Sequence, residues 1–463
     1  MQAISLESTG TPANLTLAQM AAALRAGRVT SVALTGAFLD RIGSRDPQIG
    51  AFVYVDRDAA LCAAAAADAA FAEGLDLGLM QGIPFAIKDV IDVAGWPVRW
   101  GSSLCVDRIA AHDAPVVQGL RKQGAVPLGL VATYEMATVG PDPSSLYAQP
   151  RNPWHRDHIT GGSSSGSAAA VAGGMAPLAL GTDTGGSVRS PASFCGVVGF
   201  KPTFDTFPMA GVMPLSQSLD HIGVITKTAE DAVFAMAAMA GFSMPDGLPP
   251  ALRVGFVRGW CDAQTVQYYD GAASVLSLAG AAMTLVDLPD YTPLETAACH
   301  VLLYEQVRNH WSEIAKSPDQ VGRMLLDTMT AGLAVDDQMN AQGLAEIRAF
   351  AQHAETIMAD FDVLILPTTL CPAQRFDSFQ DGKATWTPMR TIPFNMSGQP
   401  AVSVPVGMQD GMPLGLQIVG ARHDDMKVLQ VAQMFERATD HSCQRPDLGL
   451  AAMVEPQVSN SAV

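Results

Sequence analysis

Two serine- and glycine-rich stretches and one lysine carry the residue types in this chain that could do nucleophilic chemistry. Gly162-Ser163-Ser164-Ser165-Gly166 has the form G-x-S-x-G, in which Ser164 would be a nucleophile on a strained strand-to-helix turn. That turn needs a strand running straight into it. Here Asn152-Pro153-Trp154-His155-Arg156-Asp157-His158 precedes it, polar and broken by proline, so the context argues against an elbow. Asp183-Thr184-Gly185 has the form of the aspartic-protease triplet, which works only with a second carboxylate to share the proton, and the sequence holds no second copy. A third reading joins both stretches to Lys88. Ser187 ends a Thr-Gly-Gly run whose backbone N–H groups can converge on one point, as an oxyanion hole requires. Ser163 opens a helix directly after two glycines, and Lys88 ends an apolar strand between Ile87 and Val90, where desolvation favours the neutral amine.

The elements that must position these groups alternate between helical and strand patterns. Ile83, Phe85 and Ile87 repeat with period two up to Lys88; a helix over Ala114 to Gln123 and a strand over Val126 to Leu130 follow. An Ala-rich helix runs from Ser163 toward Gly173, and an apolar run, Pro177 to Leu180, leads into the loop Gly181 to Ser187. Further strands are expected at Gly196 to Phe200, Leu252 to Val257, Thr284 to Leu288, Val363 to Leu366, Ala401 to Val406 and Leu414 to Val419. Thr228 and Asp231 open a helix that reaches Ala240. The alternation predicts an α/β fold: a single large domain with a mixed central sheet covered by helices on both faces. Residues 289–342 read as a helical peripheral segment, and the tail, 446–463, has little periodicity.

Composition narrows the function. With 463 residues, 48% of them hydrophobic and 16% charged, the chain can bury a large core. Forty-five acidic against 28 basic residues give a net charge of −17, which opposes nucleic-acid binding. No apolar run is long enough to cross a membrane, and the N-terminus does not read as a signal peptide; a cytoplasmic location is expected. The seven cysteines stand singly, which fits reduced thiols rather than a disulfide framework or a zinc cage. His155 and His158 lack a zinc motif around them, so no metal is expected.

At three places the chain resembles the amidase signature family. Gly82-Ile83-Pro84-Phe85-Ala86-Ile87-Lys88-Asp89 matches its lysine-bearing strand, Gly161-Gly162-Ser163-Ser164 its first serine loop, and Gly181 to Ser187 its second; the two serines lie 24 residues apart, as in the family. Ser187-Val188-Arg189-Ser190-Pro191-Ala192, Gly199-Phe200-Lys201-Pro202-Thr203 and Phe394-Asn395 extend the match over roughly Leu15 to Arg445, which sets an amidase signature domain at 1–445. The resemblance implies a Ser-Ser-Lys triad in which Ser187 is the nucleophile, Ser163 bridges through a cis Gly162-Ser163 bond, and Lys88 is the base. It also implies an oxyanion hole of the N–H groups of Thr184, Gly185, Gly186 and Ser187. Asp89 is expected to point away from the amine. Thr182 and Asp183 are expected to hold the loop in shape, and Arg189 to make an ion pair beneath it. Met136, Gly161, Gly162, Asp183 and Arg189 form the expected substrate-contacting set.

The activity implied is cleavage of the C–N bond of a small carboxamide or aryl amide through an acyl-enzyme, with a small-molecule amide as the only partner besides a possible homodimer copy, and no cofactor. The alternative is the glutaminase subunit of a tRNA-dependent amidotransferase, with Asp424 falling where that subunit contacts glutamine.

Overall fold

Every strand among the described residues joins one eleven-stranded sheet. The structure is a computed structural model and describes residues 12–243, 247–248, 251–379 and 387–448. In chain order the strands are β1 (Phe52–Val55), β2 (Pro84–Lys88), β3 (Val126–Val131), β4 (Leu178–Asp183), β5 (Val198–Lys201), β6 (His221–Thr226), β7 (Arg253–Phe256), β8 (Ala282–Leu285), β9 (Val363–Pro367), β10 (Ala401–Gln409) and β11 (Met412–Gly420). Their order across the sheet is β1-β3-β2-β4-β6-β5-β10-β11-β9-β7-β8. The sheet is mixed: β3, β2 and β4 run parallel, as do β9, β7 and β8, and the strands between them are antiparallel.

Central strands are buried on both faces, which is why they read as largely apolar runs rather than alternating ones. Helices Ser165–Ala172 and Arg189–Cys195 pack together on one face, while Ala229–Ala240 and Asp425–Arg437 pack together on β5, β6, β10 and β11 from the other. The expected α/β domain with helices on both faces is the observed one. Gly199 lets the helix after Ser187 sit close to the sheet: a Cβ there would lie 2.6 Å from Val188 O.

Two strands escape the sequence patterns. β1 is a short, partly exposed edge, and β6, His-Ile-Gly-Val-Ile-Thr, is fully buried and shows no alternation to mark it. The strand expected at Thr284 to Leu288 instead spans Ala282–Leu285, an edge with largely exposed side chains. Thr228 caps the helix Ala229–Ala240 as expected, its hydroxyl accepting the Asp231 N–H at 3.1 Å. The segment 289–342 is helical, with Tyr291–Ile314 and Arg323–Gly332, but it forms a wall of the central cavity rather than a remote cap. Of the expected tail, residues 449–463 lie outside the described residues. No helix among the described residues is long and apolar enough to cross a membrane.

Candidate active site

β2 and β4 are parallel neighbours with Ile87 opposite Leu180, so their C-terminal ends reach the same edge of the sheet. Lys88 ends β2 there, and Thr182 and Asp183 end β4. Lys88 is fully buried. Its Nζ lies 2.7 Å from Ser163 Oγ and 2.7 Å from Thr182 Oγ1. Burial pushes the amine toward its neutral form; the charges of Asp183 and Asp220 oppose this, and the pKa comes to about 7. Asp89 turns away from the amine as expected, its carboxylate accepting the Arg99 N–H at 2.8 Å and the Gly101 N–H at 3.1 Å.

Sequence assigns Thr182 loop support only, yet it is the second partner of the amine. The signal is positional: Thr182 lies at the end of the strand that runs parallel beside the lysine's strand. Thr182→Val removes one of two hydroxyls from the amine without changing side-chain shape. The expected result is a roughly tenfold fall in kcat with KM unchanged, the effect of about one lost hydrogen bond, read from steady-state kinetics on any amide the chain turns over.

Ser163 follows a cis Gly162-Ser163 peptide bond and precedes the helix Ser165–Ala172. The Ser164 hydroxyl is buried against the backbone of Thr182, donating to its carbonyl at 3.2 Å and accepting its N–H at 3.3 Å, which removes Ser164 as a nucleophile. The Ser164 N–H donates to Ser187 O at 3.2 Å and holds the second loop against the first. Ser187 itself is half-buried, and its hydroxyl has no hydrogen-bond partner among the described residues; it opens on a cavity of about 230 Å³. The expected link from Ser163 to Lys88 is therefore made, while that from Ser163 to Ser187 is not closed in this conformation.

The loop between β4 and Ser187 is shaped from below. Asp183 and Arg189 are both fully buried and pair at 2.8 Å. All five guanidinium donors of Arg189 are used: two on Asp183, and one each on Thr391 O, Gln417 Oε1 and Asn395 Oδ1. Burial alone would raise the Asp183 carboxyl, but the charge and hydrogen bonds of Arg189, with Asn395 and Lys201, hold it well below the usual range. Thr184 is tied by its hydroxyl to Asp220 at 2.6 Å. Gly186 sits at φ +131°, where a Cβ would lie 2.2 Å from Thr391 Oγ1, so only glycine fits.

Several expectations change with this geometry. Asp183 and Arg189 do not reach the cavity, because each is the other's counter-ion beneath the loop. The Gly186 N–H donates to Asp183 Oδ1 at 2.9 Å and is withdrawn from the oxyanion set. Thr184, Gly185 and Ser187, whose N–H groups have no partner among the described residues, all line the cavity. Gly162 lines it as expected, with the Tyr134 ring packed where its Cβ would be. Gly161 does not line it; its missing side chain makes room for Phe194. Met136 turns into the main apolar core, and its neighbours Tyr134 and Ala137 form the wall instead. Leu215, Leu302, Leu303 and Met389 are wall residues that sequence reasoning misses. Asp424 stands just before the helix Asp425–Arg437 and pairs with Lys427 at 2.6 Å, outside the lining of this cavity.

The chain is similar to known proteins over nearly its full length. The Amidase family model matches residues 33–429. The A subunit of glutamyl-tRNA(Gln) amidotransferase from Dehalococcoides mccartyi (strain CBDB1) is 33% identical, over 94% of this chain and 99% of the relative. A crystal structure described as an amidase superposes with a TM-score of 0.84 at 29% identity, covering 91% of this chain and 99% of the other. The native peptide amidase from Stenotrophomonas maltophilia superposes with a TM-score of 0.80 at 28% identity, over 94% and 98%. A buried lysine on a serine hydroxyl, a second serine on a cavity floor, and a family match spanning these residues point the same way, and the chain belongs to the amidase family.

Proposed function

We propose that the chain hydrolyses the C–N bond of a small, uncharged amide through an acyl-enzyme on Ser187. The observation that carries this reading is the Lys88 amine, fully buried, with a pKa near 7 and 2.7 Å from the Ser163 hydroxyl. As Ser187 Oγ attacks the amide carbonyl, its proton passes to Ser163 while the Ser163 proton passes to Lys88 Nζ. A turn of the Ser187 side chain toward Ser163 completes the relay. The tetrahedral oxyanion forms beside the free N–H groups of Thr184, Gly185 and Ser187, each good donor being worth about 2.7–4 kcal/mol. Lys88 returns a proton through Ser163 to the leaving nitrogen, the C–N bond breaks, and water attacks the ester with the same relay reversed. Thr182 holds the amine in line with Ser163 throughout.

The wall of the cavity favours an apolar acyl group. Among the described residues its lining contains no Asp, Glu, Lys, Arg or His, and Tyr134, Val139, Leu215, Leu302, Leu303 and Met389 are among its lining residues. A free amino acid carries an ammonium and a carboxylate, and desolvating both without partners is costly.

The second reading, a glutaminase subunit of a tRNA-dependent amidotransferase, is supported by the 33% identity to the Dehalococcoides protein. Two features separate them: the uncharged lining and the position of Asp424 outside it. The isolated chain, given neutral anilides, short aliphatic amides and glutamine, is expected to release amine or ammonia from the neutral amides and to act on glutamine at least about a hundredfold more slowly, the discrimination that two unpaired charges impose. Activity confined to glutamine and dependent on a co-purifying partner would reverse the order of the two readings.

A further inference from the structure

A second cavity, of about 460 Å³, lies at the C-terminal end of the helix Ser165–Ala172, the end remote from Ser163, and shares no lining residue with the first. Four cationic side chains line it: Arg41 and Arg45 from the helix Ser31–Ile49, Lys227 after β6, and Arg445. In a chain of net charge −17 this is a local reversal of sign. Arg45 donates to Gly173 O at 2.6 Å, while Arg41 donates to Gly174 O at 3.2 Å and to Ala13 O at 2.9 Å, so both guanidinium groups are anchored at the helix end. Lys227 is half-buried and has no hydrogen bond or ion pair among the described residues.

Two carboxylates stand against these four cations. Asp231 lines the cavity, but its oxygens are occupied by the Leu17 N–H at 2.6 Å and the Thr228 hydroxyl at 2.9 Å. Asp447 is the other acidic lining residue, and it is exposed. Burial, then the charge of Arg445, weaken the hold of Lys227 on its proton, with Asp231 opposing them and Arg41 adding to them; burial and the charge of Arg45 weaken that of Arg41, down to about 10. The remaining surface includes Leu15, Phe38, Trp154, Val171 and Val197, which is apolar.

We propose that this cavity binds an organic anion with one negatively charged head and an apolar body, Lys227, Arg45 and Arg445 holding the head and the half-buried Trp154 packing on the body. A bound anion relieves the mutual repulsion of the cations, and the apolar wall selects against a bare inorganic ion.

Calorimetric titration of the full-length protein tests this with phenylacetate, inorganic phosphate and 2-phenylethanol as probes. Phenylacetate should bind, with phosphate and the neutral alcohol at least about tenfold weaker. Lys227→Met should weaken phenylacetate about tenfold, the effect of one charge-assisted contact, leave amide hydrolysis unchanged, and be rescued by Lys227→Arg. Arg445→Met serves as a second variant should Lys227→Met fail to fold, which circular dichroism reports. Equal affinity in the folded Met variants places any binding elsewhere and overturns the proposal. So does phosphate binding tighter than phenylacetate, or no binding of phenylacetate at all.

Discussion

Ser187→Ala and Lys88→Met should each lower kcat/KM for a neutral amide by about 10⁴-fold or more, and the double variant should be no worse than the poorer single one, because groups that act as a unit are not additive. Both variants should keep the wild-type melting profile to within a few degrees. Each replacement preserves the bulk of the buried site, and neither breaks the Asp183–Arg189 pair beneath it. The wild-type rate should carry the signature of the amine. Only neutral Lys88 can take a proton, and its pKa is brought down to about 7, so kcat/KM should rise with pH below that value, about tenfold per unit, and flatten above it. Asp220, itself raised to about 7 chiefly by burial, favours the charged amine when ionised. Asp220→Asn should therefore move the midpoint to lower pH. A profile that falls with rising pH, or full activity in Lys88→Met, would remove the amine from the mechanism.

Arg189→Met is expected to be the most destabilising substitution near the site, by about 3–5 kcal/mol in denaturant unfolding at neutral pH, the range for stripping one partner from a buried ion pair. The loss does not stop at one bond. Gln417 and Asn395 lose a donor, and Asp183 is left charged in a dry interior. The pH dependence follows from the direction of the Asp183 shift. In the wild type its folded pKa lies below the unfolded value, so the pair stabilises the fold above about pH 4 and that contribution disappears as acid protonates the carboxylate. In the variant burial acts unopposed by Arg189, the carboxyl is raised instead, and the variant is penalised above the same pH. The gap between the two proteins should be widest near neutrality and narrow toward pH 4. A gap independent of pH would assign the cost to packing rather than to charge. Activity should fall with the fold, since Asp183 shapes the turn that carries Gly186 and Ser187.

Much of this is legible in the residues, for a physical reason. Lys88, Ser163 and Ser187 sit at strand and helix ends whose apolar runs and glycines are local features, and local features survive in a linear sequence. The buried central strands β4, β9, β10 and β11 announce themselves by largely apolar runs, interrupted by Ser403 in β10 and Gln417 in β11. What escapes is set by tertiary contact. Sequence reads Asp183 and Arg189 both as loop supports and as substrate contacts, since both types serve either role, and only packing selects the ion pair. Met136 and Tyr134 are two residues apart, and the positive φ of Met136 and Ala137 decides which of the segment's side chains line the wall; no periodicity encodes that turn. Leu302, Leu303 and Thr328 come from helices far along the chain, and their pattern marks only that they are helical. The Gly186 N–H passes for a free donor in the sequence because an Asx-type bond from Asp183 leaves no trace beyond an aspartate three residues earlier.

The chemical groups hang from neighbouring strands and the loops that leave them, whereas Cys299, Leu302, Leu303 and Thr328 belong to helices outside the sheet. The two sets of residues are thus carried on separate parts of the architecture. Grafting the helical pair from a relative, or randomising its inward positions, can change which molecules are accepted while the proton relay stays untouched. Diversification of such enzymes can then alter one part of the wall by swapping that cassette, while Tyr134, Leu215 and Met389 keep the other part on loops.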